Sequence, residues 1–223
     1  MVSVLRPGRR ILNIPDIGVQ TSRRAVASAA ADWWEVPGKT CIAAYEPIGA
    51  ASLAASYINL ATPGTYDAAP GVAPTFNAAT GWTFNGSSQY LNTSVVPAWS
   101  WTWLLRIANS ATSGGGRHGV DLVMVLATYY HFYQNGGGSL FKVGPLSSGV
   151  VGMAGKTAYL NSAADGTISA GTSSTAWPIY IGCRNAGGLA SNYLATDVLA
   201  SAIYNTTLDA GEVATVSAAM AAL

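Results

Sequence analysis

Aromatic side chains and a histidine alternate in one short stretch that reads Tyr-Tyr-His-Phe-Tyr from position 129. In a β-strand, successive side chains point to opposite faces, so Tyr129, His131 and Tyr133 share one face. One face of such a strand is buried, while the other faces solvent, a ligand or a neighbouring subunit. Aromatic rings with polar tips stack on the apolar faces of sugars. The stretch is therefore interpreted as a glycan-binding surface, and the alternative is a second buried row beneath a loop.

Two further residues of the predicted glycan site, Arg117 and His118, follow the glycine-rich loop Gly114–Gly116. This loop lacks the Lys-Ser/Thr pair and the helix that follow a phosphate-binding loop, so it is read as a flexible turn. His118 lies three residues before Asp121, and serines are abundant throughout the chain. This spacing does not specify a Ser-His-Asp triad.

The ten carboxylates of the chain are scattered, and no two of them stand at positions i and i+2. Retaining glycoside hydrolysis needs two carboxyl groups about 5 Å apart. Asp209 and Glu212 are better explained as the capping pair of a helix. Two histidines and two cysteines at wide spacing match no zinc pattern. The sequence therefore predicts no catalytic residue, no metal ligand set and no enzyme.

Positive charge is concentrated at the N-terminal end. Five arginines and one aspartate give the first 24 residues +4, which leaves −3 for the rest of a chain whose total is +1. A net charge this small argues against nucleic-acid binding. The segment is predicted to be an attachment arm that contacts another protein chain. Its predicted partner-binding residues are Arg6, Arg9, Arg10, Arg23, Arg24, Trp33 and Trp34.

The sequence shows no targeting signal, and its two cysteines allow two interpretations. The apolar stretch from Ile11 to Val19 is interrupted by polar residues and a proline, so no signal peptide is predicted. No apolar run reaches the length of a membrane span, which predicts no membrane insertion. Cys41 and Cys183 lie within predicted strands. Buried free thiols are the favoured interpretation, and a single disulfide is the alternative.

The remaining pattern predicts an N-terminal arm with a short helix over residues 1–40 and a β-rich domain over residues 41–223. The arm is extended to residue 20, and its helix runs from Thr21 or Ser22 to Trp34, where Pro37-Gly38 ends it. Predicted strands are Cys41–Tyr45, a hairpin of 82–84 and 89–92 around Asn85-Gly86, Trp99–Ile107, one long strand over 121–134, 139–143 and 148–154.

One further prediction concerns the tryptophans of the 99–107 strand. Trp99, Trp101 and Trp103 share a face with Leu105 and Ile107, so this face is predicted to lie in an inter-sheet core. Their stacking on sugars is the alternative. Residues 62–74, rich in proline and glycine, are predicted to be a loop.

The last third of the chain carries three short strands and a helix. The first strand starts at Lys156 and is followed by a tight turn at Asp165-Gly166. Ile179 and Ile181 share a face of the second, and Leu199 and Ile203 share a face of the third. The closing helix begins at the capping pair Asp209 and Glu212 and runs to Leu223.

Two motifs carry a family resemblance. Leu208-Asp-Ala-Gly-Glu212 follows a strand ending in Ala-Ile-Tyr-Asn, and Gly81–Leu91 contains Phe-Asn-Gly-Ser-Ser-Gln-Tyr-Leu. Together they resemble the laminin-G-like branch of the concanavalin A-like lectin and glucanase superfamily. The resemblance implies an all-β, two-sheet antiparallel sandwich of the jelly-roll kind with a short C-terminal helix. Some domains of this branch bind calcium, for which the loop-edge carboxylates are Asp121, Asp165 and Asp197. No cofactor is predicted beyond this possibility.

Small-residue stretches such as Gly49-Ala-Ala-Ser-Leu-Ala and Asn59-Leu-Ala, together with Gly81-Trp82, resemble laminin-G-like proteins of tailed-phage virions. That resemblance implies a non-enzymatic virion surface protein, either a capsid-decorating or a tail-associated subunit. It would be made in the host cytoplasm and attached through its arm to other virion proteins, and it is expected to be a homo-oligomer. The alternative is a carbohydrate-binding or receptor-binding domain that recognises host surface glycans. A glycan-cleaving enzyme is the third hypothesis.

Overall fold

Antiparallel pairing joins every strand of the structure, a computed structural model. Residues 1–31, which include the predicted arm and most of its helix, lie outside the described residues. The segment from Asp32 onward forms one compact unit. The structure describes residues 32–110, 116–118, 123–125, 129–133, 138–169 and 176–223.

The described residues form short strands and two helices. Their bounds are β1 (Cys41–Tyr45), α1 (Leu53–Ser56), β2 (Ala69–Val72), β3 (Thr75–Asn77), β4 (Gly81–Asn85), β5 (Tyr90–Asn92), β6 (Thr102–Ala108), β7 (Gly116–His118), β8 (Val123–Val125), β9 (Tyr129–Tyr133), β10 (Ser139–Val143), β11 (Gly149–Ala154), β12 (Thr157–Leu160), β13 (Ala163–Thr167), β14 (Tyr180–Ile181), β15 (Arg184–Ala186), β16 (Leu189–Ser191), β17 (Ala195–Tyr204) and α2 (Ala210–Ala222).

Eight strands form the main sheet, in the order β13-β12-β11-β6-β17-β4-β3, with β1 also paired to β17. Three smaller sheets have the orders β10-β9-β8-β7, β14-β5-β2 and β15-β16. We call the first two of these the facing sheets, because their inward side chains share a core with the main sheet. The predicted all-β antiparallel sandwich is thereby confirmed.

The core between the layers is built from alternate residues of each strand. Trp103, Leu105 and Ile107 of β6 contribute one row from the main sheet. Leu91 of β5 and Phe132 of β9 are fully buried opposite them in the facing sheets. Removing such side chains from water is the main favourable term in folding. The predicted core face of this strand is confirmed for these three residues of β6.

Two tryptophans of the predicted strand depart from that core row. The strand begins only at Thr102, so Trp99 lies before it and is 41% exposed. Trp101 is half-buried and packs at the edge of the core. The prediction that Trp99 lies in the core was wrong, because period-two alternation holds only where the backbone is extended.

The opposite face of the main sheet is covered by α2. Leu104 of β6 and Tyr204 of β17 pack against Val213, Val216 and Met220 of this helix. This second buried face explains why Leu104 breaks the alternation of its strand. The predicted helix is confirmed and begins at the predicted capping pair: the Asp209 side chain accepts from the Glu212 amide at 2.9 Å, and Glu212 accepts from the Asp209 amide at 2.8 Å.

The predicted hairpin around Asn85-Gly86 was wrong. Strand β4 pairs with β17 and β3 in the main sheet, whereas β5 pairs with β14 and β2 in a facing sheet. The chain therefore crosses from one layer to the other at this turn. The Asn85 side-chain oxygen accepts from three following backbone amides, which stabilises the turn without any pairing of the two strands.

The predicted turn at Asp165-Gly166 was also misplaced. Both residues lie within β13, and Asp165 is the extra residue of a β-bulge opposite β12. The reversal occurs four residues earlier, at Asn161 and Ser162, which both have positive φ values of 47° and 73°. Two consecutive residues with positive φ form the turn that best fits the twist of a β-hairpin.

Three further sequence predictions need correction. The predicted long strand 121–134 is two antiparallel strands, since β8 pairs with β9. Leu199 lies at a bulge of β17, so Val198 rather than Leu199 shares the core with Ile203. The predicted loop 62–74 contains β2, whose proline is tolerated because β2 is the edge strand of its sheet.

Both cysteines are free. Cys183 is fully buried, and the Cys41 thiol donates to the Ala43 carbonyl oxygen at 3.4 Å. Burial raises the pKa of each thiol to about 12, which keeps both protonated at neutral pH. The favoured interpretation of two free thiols is confirmed, and the disulfide alternative was wrong.

Candidate functional site

The aromatic stretch forms β9, and its two faces differ as predicted. Tyr130 and Phe132 point inward and are buried in the inter-layer core. Tyr129, His131 and Tyr133 are half-buried on the opposite face. This opposite face is not a second core row, because the neighbouring strand adds exposed side chains to it.

Strand β10 pairs with β9 so that Phe141 lies opposite His131 and Val143 lies opposite Tyr129. Directly opposed residues of an antiparallel pair have their side chains on the same face. Phe141 is 51% exposed and Val143 is 86% exposed. We call the group formed by Tyr129, His131, Tyr133 and Phe141 the aromatic platform.

The rings of the aromatic platform contact one another directly. The His131 and Tyr133 rings stack with an interplanar angle of 11° and a centroid distance of 5.5 Å. Phe141 packs edge-on against His131 at 4.7 Å and lies 4.8 Å from Tyr129. The Tyr133 hydroxyl lies 3.1 Å from Nδ1 of His131. These contacts hold the rings in place before any ligand binds, which reduces the entropy cost of binding.

Side chains on the inward face of β9 and β10 hold the platform in place. The Tyr130 hydroxyl donates to Asp165 at 3.0 Å, and Lys142 of β10 forms a 2.8 Å ion pair with the same carboxylate. Burial and the bond to Asp165 raise the pKa of Tyr130 to about 12, so its hydroxyl keeps its proton at neutral pH. Asp165 therefore joins β9 and β10 to the edge of the main sheet.

Backbone register separates the other two predicted glycan-site residues. Arg117 of β7 lies opposite Met124 of β8, which lies opposite His131 of β9. His118 lies instead in the register of Val123 and Phe132. The backbone of Arg117 is thus in register with His131 of the platform, and the backbone of His118 is in register with Phe132.

The sequence prediction did not include Phe141, the most exposed ring of the platform. A signal was present, since Phe141 and Val143 stand two residues apart in a predicted strand that follows the aromatic stretch after a glycine-rich segment. Extending the hairpin register from β9 to β10 would have placed Phe141 opposite His131. This step requires knowing that β10 pairs with β9, and composition and periodicity do not show which strands pair.

Two of the predicted arm residues are described, and both contact their own domain. The Trp33 indole donates to Glu46 at 2.7 Å, and the Trp34 carbonyl oxygen accepts from the Tyr204 hydroxyl at 2.7 Å. The two indoles meet edge to face at 5.2 Å and pack against the core beneath α2. Arg6, Arg9, Arg10, Arg23 and Arg24 lie outside the described residues, so their attachment role stays a prediction.

The carboxylates suggested for calcium occupy separate places. Asp165 is on β13 and Asp197 on β17, four strands apart in the main sheet, which corresponds to about 19 Å. Asp197 accepts from Thr83 and from Asn109 at 2.5 and 2.7 Å. Asp121 lies outside the described residues. Within the described ranges, no group of three or more His, Cys, Asp or Glu side chains is arranged to hold a metal ion, and calcium binding stays an untested prediction.

Neither helix of the described residues has the length and the hydropathy that a membrane crossing requires.

No protein-family model and no curated protein sequence matches this chain. Solved structures do resemble it. Trypanosoma rangeli sialidase in complex with sialic acid superimposes with a TM-score of 0.55 at 14% identity, over 79% of this chain and 32% of the sialidase chain. The same enzyme with 2,3-difluoro-KDN gives a TM-score of 0.56 at 14% identity, over the same 79% and 32%.

A second protein, botulinum neurotoxin type C, whose cell entry depends on interaction with two ganglioside molecules, also resembles the chain. It superimposes with a TM-score of 0.52 at 9% identity, over 81% of this chain and 51% of the toxin chain. The chain therefore spans about a third of the sialidase chains and about half of the toxin chain. Identities this low carry no functional assignment, and these likenesses establish one point: the chain has the β-sandwich fold that parts of a sialidase and of a neurotoxin also have.

Proposed function

We propose that this chain is a glycan-recognition domain without catalytic activity, and that the aromatic platform is its binding surface. The observation that carries the proposal is the outward row of Tyr129, His131 and Tyr133 with Phe141 beside it. These four side chains stand on a rigid two-layer sandwich. A site on strands is held more precisely than a site on loops.

The chemistry of the platform suits a sugar. Pyranose rings have an apolar C–H face and a rim of hydroxyl groups, so they require both an aromatic surface and polar atoms at its edge. Phe141 supplies the exposed aromatic surface, and the Tyr133 hydroxyl, which lies 3.1 Å from Nδ1 of His131, supplies a polar group beside it. Aromatic side chains with polar tips are favoured at binding surfaces for this reason.

The solved structures give the proposal independent support. One of them is a sialidase in complex with sialic acid, and the other is a neurotoxin that depends on gangliosides. Both ligands contain sugars. Because a fold hosts many functions, this support concerns the class of ligand, and the platform residues carry the assignment to a site.

Substitution of Phe141 by alanine tests the platform. We expect the full chain to bind a subset of an array of neutral and sialylated glycans, and the F141A variant to lose about tenfold in affinity. Truncation of an aromatic residue that anchors a ligand costs about 1 kcal/mol of binding free energy or more. A loss of about 1.4 kcal/mol corresponds to a tenfold loss in affinity. The measurement is titration of the strongest array ligand against each variant.

The matched control for this substitution is Ile58→Ala, which removes another exposed apolar side chain. Ile58 is 40% exposed and Phe141 is 51% exposed. The control should bind as the unmodified chain does, and both variants should keep its melting temperature. The proposal is wrong if no glycan on the array is bound, or if F141A binds as tightly as I58A.

Hydrolysis is expected to be absent. The described carboxylates with structural hydrogen bonds or ion pairs hold the fold: Glu46, Asp67, Asp165, Asp197, Asp209 and Glu212. Purified chain incubated with β-glucans, sialylated glycans and bacterial polysaccharides should release no reducing ends and no free sialic acid. Release that disappears when a single Asp or Glu is replaced would show that the chain is an enzyme.

A finer assignment, to the surface of a phage virion, is also a proposal. It is supported by the sequence resemblance to tailed-phage laminin-G-like proteins and by the five arginines of residues 1–24 as an attachment segment. Glycan recognition is compatible with that place, since a particle surface meets host glycans first. Detection of the chain on purified particles, or its absence from them, decides this assignment.

A further inference from the structure

A second group of aromatic rings lies on a different facing sheet. In β5, Leu91 points into the core and its neighbour Tyr90 points outward. The Tyr90 ring lies 4.9 Å from the ring of Tyr180, which belongs to the paired strand β14, and 6.3 Å from the ring of Tyr193. Tyr180 is 8% exposed, whereas Tyr90 and Tyr193 are half-buried, so these two rings form the accessible part of the group. The group contains none of the platform residues.

The Tyr90 ring packs directly against Gly71. A Cβ atom added to Gly71 would lie 1.9 Å from Cζ of Tyr90 and 2.3 Å from both Cε1 and the hydroxyl oxygen. These three distances show that the face of the phenol lies flat on the Gly71 backbone. The ring is therefore held parallel to the sheet surface, an arrangement that any larger residue at position 71 would prevent.

Trp177, three residues before Tyr180, also packs against a glycine. A Cβ atom on Gly188 would lie 3.0 Å from Cζ3 of this indole, which is 41% exposed. Buried Asn185 fixes the contact, because its side chain donates to the Pro178 carbonyl at 2.8 Å and accepts from the Gly188 amide at 2.8 Å. The span of three residues keeps Trp177 and Tyr180 within about 11 Å.

We propose that Tyr90, Tyr193 and Trp177 form a second carbohydrate-binding surface, which takes a neutral sugar chain, with buried Tyr180 supporting Tyr90. The three side chains bring ring faces and two phenol hydroxyls, and none of them carries a charge. Because these rings are already held by packing, little conformational entropy is lost when a ligand binds to them. A neutral polysaccharide supplies the matching C–H faces and hydroxyls, whereas an anionic ligand would gain nothing from uncharged groups.

Like the rings of the aromatic platform, Tyr90 lies on a strand of a facing sheet. A glycan chain that spans both surfaces would be held at two points, which raises the overall affinity without any new contact.

The test measures retention of the full chain during electrophoresis through gels that contain hydroxyethyl cellulose, galactomannan or dextran. Two variants address the surface: W177A removes its exposed indole, and Gly71→Ala displaces Tyr90 without removing any ring. The matched control is Trp99→Ala, because Trp99 is exposed to the same 41%. We expect W177A and G71A to weaken retention by at least one neutral polysaccharide about tenfold, with the control unchanged.

The same measurement in the F141A background separates this inference from the proposed function, on which it rests only for the chemical class of ligand. Retention that survives F141A and is lost in the F141A/W177A double variant supports a second surface. The inference is overturned if W177A migrates as the Trp99→Ala control does, if F141A alone abolishes retention, or if no neutral polysaccharide retains the chain. In the last case, binding of a sialylated glycan by the platform would still uphold the proposed function. Melting temperatures within a few degrees confirm that each variant is folded.

Discussion

Replacement of Trp103 by alanine is expected to lower the free energy of unfolding by about 3–5 kcal/mol. Trp103 is 7% exposed and lies in the middle of β6, where it is opposite Ile203 of β17 and Met153 of β11. Its removal leaves a cavity between the two layers. It also removes the 2.9 Å hydrogen bond from the indole to the fully buried Ser201 hydroxyl, which would then lack this partner.

Thermal and urea unfolding of the variant measure this effect, and the same substitution at Trp99 is the control. Trp99 is 41% exposed and precedes the strand, so its loss should change the free energy of unfolding by less than about 1 kcal/mol. For a domain of this size the Trp103 variant should melt about 10 °C lower or more. Equal melting temperatures for the two variants would mean that β6 does not face an inter-layer core.

Replacement of Asn59 by leucine should also destabilise the fold, by about 3–5 kcal/mol, because a leucine of similar size makes none of its hydrogen bonds. Asn59 is fully buried. Its side-chain oxygen accepts from the Ala44 and Ala61 amides at 2.9 and 3.1 Å, and its nitrogen donates to the Ile42 and Thr65 carbonyls, both at 2.8 Å. The amide therefore takes the place of a neighbouring strand along the free edge of β1.

The control for Asn59 is Asn205→Leu, an exposed asparagine that follows β17. This control should unfold within about 0.5 kcal/mol of the unmodified chain. Urea unfolding with both variants compares the two sites under identical conditions. If Asn59→Leu were as stable as Asn205→Leu, the edge of β1 would not depend on this side chain for its hydrogen bonds.

Local pattern was enough to predict the features that depend on neighbours in sequence. The alternation of Trp103, Leu105 and Ile107 predicts a strand with one buried face, since a period of two is a property of the extended backbone itself. The capping pair Asp209 and Glu212 predicts the start of α2 because its hydrogen bonds span three residues. The aromatic faces of β9 follow from the same alternation, so three of the four platform residues could be predicted.

The resemblance of short motifs to laminin-G-like domains implied a sandwich, and the fold agrees with it. It did not show which strands pair. Strands β4 and β5 are separated by one turn yet belong to opposite layers, because Trp82 and Phe84 of β4 and Leu91 of β5 approach the core from its two sides. Turn residues alone cannot distinguish such a crossing from a hairpin, since Asn-Gly supports either.

Only the tertiary structure decided the composition of the binding surfaces. Phe141 joins the platform because β10 pairs with β9 in one register, and a shift of one residue would place Leu140 there instead. Tyr90 lies flat because Gly71, nineteen residues earlier, gives it room, and Trp177 is placed by Asn185 and Gly188 of the next hairpin. Sequence alternation determines which side chains of a strand point the same way, whereas long-range pairing and close packing determine which strands bring them together.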